Sequence, residues 1–343
     1  MKKKVLVTGG TGYIGSHTIV DLLSHGYEVV CVDSCINSDP GCLEAVQTIA
    51  GVRVPFYKVD LCNLGDTESI FKQHPDISGV IHFAALKAVG ESVEKPMLYF
   101  KNNLESLMNV LELSMNSGVS AFVFSSSCTV YGDVQKSPVN EDTPLQEAAS
   151  PYGRTKQIGE QIVSDCLINS NTKGSLLRYF NPAGAHPSGL LGESPINIAA
   201  NLVPIITETA IGKRESLTVF GDDYPTRDGS CIRDYIHVCD LAHAHTLALS
   251  HIFSGKQEKS VEIFNLGIGS GLSVKEVIAA FEKISGMKLP FTIGPRRSGD
   301  VTAIYAEPSK ASQILGWAPN FSVDDIMRTA WAWEKRRSVK QQD

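Results

Sequence analysis

Tyr152 and Lys156 stand four positions apart in Ser150-Pro151-Tyr152-Gly153-Arg154-Thr155-Lys156. Residues at i and i+4 share one face of a helix. Ser150 suits an N-cap and Pro151 a first helical position, which puts Tyr152 in the first turn. The positive end of a helix favours a phenolate there. A free tyrosine titrates near ~10, so a tyrosine base at neutrality needs a drop of roughly 3 units, about 4 kcal/mol of differential stabilisation. Ser125-Ser126-Ser127 closes a candidate strand, and Ser127 can hydrogen-bond a reacting hydroxyl. The combination suits proton removal from an alcohol. Alone, a Tyr-x-x-x-Lys spacing is commonplace; a second motif gives it weight.

Gly9-Gly10-Thr11-Gly12-Tyr13-Ile14-Gly15 follows one candidate strand and opens a candidate helix. Glycines there allow a tight turn and let a pyrophosphate approach the backbone. The helix N-terminus adds free N–H groups and partial positive charge. Asp33 ends the next strand. A carboxylate there accepts from ribose hydroxyls and repels a 2′-phosphate. No arginine immediately follows it, which favours NAD over NADP. Asp60-Leu61, after the third strand, are placed to flank an adenine. With NAD in view, the charges that can hold Tyr152 ionised are Lys156 and an oxidised nicotinamide ring.

Positioning these groups calls for a particular scaffold. The strands expected are Lys4–Thr8, Glu28–Asp33, Pro55–Asp60, Gly79–Ala84, Ala121–Ser126 and Ser175–Asn181. Between them the pattern predicts helices over Gly12–His25, Leu64–His74, Met97–Ser117 and Tyr152–Asn169. Near-continuous apolar strands alternating with amphipathic helices predict an α/β fold with a doubly wound parallel sheet. After Asn181 the rhythm breaks into loops and shorter elements. The expected organisation is a Rossmann unit over 1–181, with about 237–267 returning to its sheet, and a smaller mixed α/β substrate unit over 182–343.

The 343 residues are 43% hydrophobic and 20% charged with net charge −6, an ordinary globular balance that gives no general attraction to nucleic acid. An anionic substrate therefore needs local Arg or Lys. The apolar run Val5-Leu6-Val7 is too short for a signal peptide, and no run reaches the ~18 residues of a membrane span. The eight cysteines include no Cys-x-x-Cys pair, so reduced, packed thiols, a cytoplasmic location and no metal are expected.

Longer stretches carry a resemblance. Val7-Thr8-Gly9-Gly10-Thr11-Gly12-Tyr13-Ile14-Gly15-Ser16-His17, the segment His82 to Ser92, Ser125 to Gly132, Arg178-Tyr179-Phe180-Asn181-Pro182, Arg233 to Val238 and Arg297-Ser298-Gly299-Asp300 occur in that order. The chain resembles the extended short-chain dehydrogenase/reductase family and, within it, the UDP-glucose 4-epimerases. The resemblance implies that Tyr152 removes the proton of the sugar 4-hydroxyl while hydride passes to NAD. The 4-keto sugar turns over, and the steps reverse on its other face. It implies that Ser127 holds the 4-oxygen, that Lys156 tunes Tyr152, and that His82 is a packed strand residue. For the cofactor it implies Gly9, Gly12, Tyr13, Ile14, Gly15, Asp33, Asn37, Asp60, Leu61, Phe83, Ala84, Ala85, Lys87, Asn102 and Tyr179, beside Tyr152 and Lys156. For the UDP-sugar it implies Asn181, Asn201, Leu202, Phe220, Arg233, Arg297, Asp300 and Ile304, beside Ser127 and Tyr152. Arg233 and Arg297 are expected to fork onto the diphosphate, and Asp300 to accept from a ribose hydroxyl. A homodimer joined through Met97–Ser117 and Tyr152–Asn169 is also implied. Ser34 replaces the usual Asn beside the adenosine. Ile304 stands four residues after Asp300, where the family gates the 2-substituent.

The competing readings are a nucleotide-sugar 4,6-dehydratase, a UDP-glucuronate epimerase and a catalytically idle NAD sensor. The dehydratase needs an added acid/base pair, usually Asp-Glu, after the catalytic hydroxyl residue; here Cys128-Thr129 follows Ser127. The glucuronate reading lacks a distinctive extra cation, and a sensor has no need to keep Tyr152, Lys156 and a serine together.

Overall fold

The computed structural model describes residues 2–297 and 300–340; Met1, Ser298, Gly299 and 341–343 lie outside the described residues. Seven strands, β1 (Lys4–Thr8), β2 (Glu28–Asp33), β3 (Phe56–Lys58), β4 (Ile77–His82), β5 (Ala121–Ser125), β6 (Lys173–Tyr179) and β7 (Val261–Leu266), form one sheet. Their order is β3-β2-β1-β4-β5-β6-β7 and every pairing is parallel. Alternate residues of a strand face opposite sides, so both faces need apolar cover. Val5, Val7, Val29 and Ile81 pack with Ile19, Leu22, Leu241 and Leu249 on one side. Leu6, Val30, Val32 and Val80 pack with Ile70, Leu107, Leu111 and Val163 on the other. This is the doubly wound Rossmann architecture expected.

The order reverses between β1 and β4. In such sheets the crevice outside the C-terminal strand ends is where ligands enter. Thr8, Asp33, His82, Ser125 and Tyr179 all terminate strands at that edge.

Several boundaries differ from the sequence reading. The stretch expected as Ser175–Asn181 splits: β6 stops at Tyr179, and Asn181–Ala183 pairs instead with Tyr235–His237. The fourth strand runs Ile77–His82, which releases Phe83 and Ala84 into the loop over the crevice. A helix at Cys42–Ala50 was not anticipated; Val46 on it is fully buried, and Cys42, Leu43, Ala45 and Ile49 pack half-buried against the core. The smaller domain has its own core, in which Val203, Ile206, Val277, Phe281, Ile326 and Met327 pack together with Leu217 and Val219. It also contributes the parallel pairs Leu217–Phe220 with Phe291–Gly294 and Ala303–Ile304 with Ile232–Arg233. No helix among the described residues is long and apolar enough to cross a membrane. All eight cysteines are free thiols.

A candidate active site at the sheet edge

The glycine turn is built by close backbone contact. Gly9 has φ +66°, and a Cβ there would lie 2.8 Å from the Ala84 amide nitrogen. A Cβ on Gly15 would collide with the Gly9 carbonyl oxygen and lie 2.8 Å from the Gly10 Cα. The first helix, Tyr13–Ser24, starts from Gly12 with no side-chain cap. Its opening N–H groups therefore face the crevice without an intrahelical acceptor. Asp33 is buried beneath the turn, where Oδ2 accepts from Thr11 N at 3.1 Å and Oδ1 from Cys35 N at 2.9 Å and Ser38 Oγ at 3.1 Å. Tyr13 crosses to the other side of the crevice, and its hydroxyl donates to the Gly184 carbonyl at 2.7 Å.

The catalytic candidates converge from two elements. Helix Pro151–Leu167 begins as expected: the Ser150 side chain accepts from Gly153 N at 3.1 Å and Pro151 opens the first turn. That places Tyr152 and Lys156 against the end of β5. Lys156 is buried; its Nζ donates to the Ser125 carbonyl at 2.6 Å and lies 5.9 Å from the Tyr152 ring centroid. Ser127, also buried, accepts from Thr129 N at 3.2 Å. Ser125 and Tyr179 join hydroxyl to hydroxyl beside them. His82 is buried, shares a hydrogen bond with Thr8 at 3.0 Å and has its pKa pushed down to about 3 by burial, which suits a packed neutral residue.

Burial dominates the electrostatics of Tyr152 and Lys156. Burial, then Tyr179, push the Tyr152 phenol well above its ordinary value, and a hydrogen bond with Ser127 only partly opposes them. Lys156, expected to depress Tyr152, has its own pKa lowered to about 8 by burial, with Glu160 opposing. Desolvation is the largest influence on both groups.

The remaining positions divide. Phe83, Ala84, Ala85 and Ile14 border the crevice half-buried, Asn37 is exposed, and Leu61 is buried in the core. Asp60 Oδ1 accepts from Cys62 N at 3.0 Å. Asn102 donates to Asn103 Oδ1 at 3.0 Å. Lys87 Nζ lies 3.7 Å from a Glu193 oxygen that also accepts from Asn201 Nδ2 at 2.8 Å. Leu202 opens the following helix, Leu202–Ala210. Asn181 Oδ1 is buried and has no hydrogen-bond partner among the described residues, the kind of group that calls for an explanation such as a ligand.

Arg233 makes several contacts within the chain. It is not an open fork: its Nη1 donates to the Ile232 and Val301 carbonyls at 2.9 and 2.8 Å, and Nη2 to Asp300 Oδ1 at 3.2 Å. Asp300 is thus paired with Arg233. Arg297 is exposed, 5.3 Å from the Phe220 ring centroid. Ile304 is buried, in a cluster with Cys128, Val130 and Phe180.

Sequence reasoning passed over Asn103, which is buried and donates to the Leu86 carbonyl at 3.0 Å and Thr155 Oγ1 at 3.1 Å, tying the Phe83–Lys87 loop to the catalytic helix. Its position next to Asn102 was the available signal. Away from the crevice, Asp21 Oδ2 lies 3.4 Å from Nδ1 of both His25 and His243, a grouping not foreseen either.

Comparison with known proteins gives a consistent result. The family model described as GDP-mannose 4,6 dehydratase matches residues 6–330. The UDP-glucose 4-epimerase of Bacillus subtilis is 46% identical over 331 residues, 96% of this chain and 96% of that protein. The crystal structure of UDP-glucose 4-epimerase from Bifidobacterium longum in complex with NAD+ and UDP matches with TM-score 0.94 and 45% identity, over 98% of this chain and 99% of that one. UDP-glucose-4-epimerase from Stenotrophomonas maltophila, with bound NAD and formylated UDP-arabinopyranose, gives TM-score 0.95 and 42% identity, over 98% of this chain and 99% of that one.

Proposed function

The chain belongs to the UDP-glucose 4-epimerase family of extended short-chain dehydrogenases/reductases, and from that membership we infer that it interconverts UDP-glucose and UDP-galactose with NAD as cofactor. The observation that carries this reading is the convergence of Ser127, Tyr152 and Lys156 on the sheet edge that also holds the glycine turn. NAD fits the residues present: a Cβ-free turn, an uncapped helix start and a buried carboxylate on the second strand. Gly9, Gly12 and Gly15 would face the pyrophosphate, and Asp33 the adenosine ribose.

When bound, NAD supplies the redox chemistry at the sugar C4 and a positive ring charge. The chain's own residues do the rest. Tyr152 accepts the 4-hydroxyl proton and later returns it, while Ser127 holds the 4-oxygen. Burial makes the phenolate costly, so ionisation of Tyr152 is confined to the state in which positive charge faces it. Lys156, with a pKa of about 8, carries most of its charge at neutrality and fixes the β5 end through Ser125. A 4,6-dehydratase would need an acid after Ser127. Cys128 there is a buried thiol pushed up to about 12, and Thr129 does not ionise, which counts against that reaction.

The cofactor unit is taken as 1–181 with 237–267, and the substrate unit as 182–343. A homodimer agrees with the apolar surface on helix Pro96–Asn116, where Met97, Leu98 and Met108 are exposed, and a cytoplasmic location agrees with the free thiols. The direct test of the activity is to incubate pure protein with UDP-galactose and assay UDP-glucose. Absence of product with NAD bound would overturn the reading.

Two further expectations follow for substrate binding. Arg297→Ala should weaken UDP affinity roughly tenfold or more while sparing NAD, as a lost charge-assisted contact costs ~1.5–3 kcal/mol. Arg233→Ala should also weaken it, but with some loss of stability, since Arg233 ties Val301 and Asp300 to its own strand. Unchanged UDP affinity in both variants removes the arginines from the site. For Ile304, a packed apolar wall discriminates by only about 1–3 kcal/mol per methylene. The expected behaviour is a graded preference for UDP-glucose and UDP-galactose over their 2-N-acetyl analogues. Ile304→Ala should raise relative activity on the N-acetyl pair and Ile304→Tyr lower it; the same ratio in all three proteins would show that Ile304 is no gate.

A further inference from the structure

Beneath the catalytic helix lies a charged pair that the mechanism above does not use. Arg178 on β6 and Glu160 on helix Pro151–Leu167 have side chains 4% and 7% exposed. They meet in a fork: Nε donates to Glu160 Oε1 at 2.8 Å and Nη2 to Oε2 at 2.6 Å. Ser126, adjacent to Ser127, donates its hydroxyl to the same Glu160 Oε1. One turn back along the helix stands Lys156. From the other side, Arg178 Nη1 donates to the Tyr131 hydroxyl at 3.2 Å, and Tyr131 donates to Asn265 Oδ1 on β7 at 2.6 Å. Asn265 Nδ2 donates to the Val139 carbonyl at 2.9 Å. Val139 in turn is bonded to the segment just after Ile304, through Val139 N to Tyr305 O at 3.0 Å and Glu307 N to Val139 O at 2.8 Å.

A buried ion pair is weak evidence for stability, because desolvating two ions offsets their attraction. Its place in the fold suggests another use. We propose that Glu160 and Arg178 are positioning residues for the epimerase reaction: Glu160 supplies the counter-charge that keeps Lys156 protonated and anchors the Ser126–Ser127 corner, and Arg178 holds Glu160 in place. This rests on the epimerase reading above.

The groups around Lys156 leave Glu160 that part. On its own helix Lys156 meets Tyr152 and Glu160. From β4 comes His82, neutral because burial lowers its pKa to about 3. From β5 come the Ser125 carbonyl and the Phe124 ring, 4.9 Å from Nζ. Tyr179 on β6 is bonded to Ser125, with its phenol pushed up to about 12 by burial, and Tyr99 on helix Pro96–Asn116 is also pushed upward by burial. Both are neutral near pH 7. Among the described residues, Glu160 is the acid acting on Lys156.

The sign follows. The Lys156 charge is present below its pKa and lost as pH rises through it. Glu160 raises that pKa, so removing the negative charge lowers it and the lysine discharges sooner. Glu160→Gln is nearly isosteric and keeps one oxygen for Ser126 and Arg178. In the NAD-loaded enzyme it should move the alkaline limb of the kcat–pH profile toward neutrality by on the order of one pH unit. Arg178→Lys keeps the Glu160 charge but loses the fork. It should lower kcat roughly tenfold through misplacement of the serine corner, leave KM for UDP-galactose within about twofold, and leave the alkaline limb where wild type has it.

A fall in Glu160→Gln activity with an unmoved limb would mean a merely structural pair and overturn the proposal, as would full activity in either variant. If Glu160→Gln does not fold, Arg178→Lys decides alone: unchanged kcat overturns the proposal. Wild type run in parallel separates the two levels. Failure of wild type to convert UDP-galactose sinks the epimerase reading, whereas normal wild-type turnover with unresponsive variants sinks only this inference.

Discussion

Replacing Tyr152 with Phe should lower kcat by about 10²–10⁴-fold, the usual cost of losing a positioned general base. The substitution removes one oxygen and keeps the ring, so the helix start set by Ser150 and Pro151 is untouched. NAD content and the far-ultraviolet circular dichroism should match wild type. No neighbour can stand in: the Tyr179 hydroxyl is engaged with Ser125 and its phenol is pushed up to about 12. His82 points into Thr8 and is shielded by burial. Near-normal turnover in this variant would mean that the proton leaves by another route.

The second large effect is expected at the cofactor. Gly15→Ala places a methyl group against the Gly9 carbonyl oxygen and 2.8 Å from the Gly10 Cα. Both neighbours are backbone and cannot swing aside, so the turn itself must shift. Overpacking of this kind costs about 1–3 kcal/mol. Spent on the pyrophosphate-facing turn, that is roughly a 5- to 150-fold loss of NAD affinity. Denaturing the purified variant and quantifying released nucleotide per protein reads this out. Full NAD occupancy in Gly15→Ala would remove the glycine turn from the cofactor site. In wild type the released species should be NAD; NADP as the main nucleotide would contradict the role given to Asp33.

Much of this arrangement was legible in the sequence for physical reasons. Val5-Leu6-Val7 and Val29-Val30 are apolar on consecutive positions, as a strand buried on both faces requires. Ser150-Pro151 marks a helix start by chemistry that depends on nothing distant. What stayed hidden depends on partners far away in the chain. Arg178 reads as one arginine in a strand; its fork with Glu160 exists only after β6 and the catalytic helix pack. Arg233 has the residue type of a phosphate ligand, yet its contacts with Asp300 and the Val301 carbonyl arise from pairing of Ala303–Ile304 with its own strand. The dryness of the Tyr152 environment is hidden in the same way. Sequence shows a lysine one turn on, but it does not show how completely the fold removes water from both groups.

The central claim is that this chain epimerises the sugar at C4 by oxidation and return of the same hydrogen, with Tyr152 handling only the hydroxyl proton. Turnover of UDP-galactose in heavy water, with the UDP-glucose product examined by NMR, tests it directly. The expected result is UDP-glucose carrying protium at C4 and no net consumption of NAD. Deuterium at C4, or a stoichiometric requirement for added NADH, would contradict it.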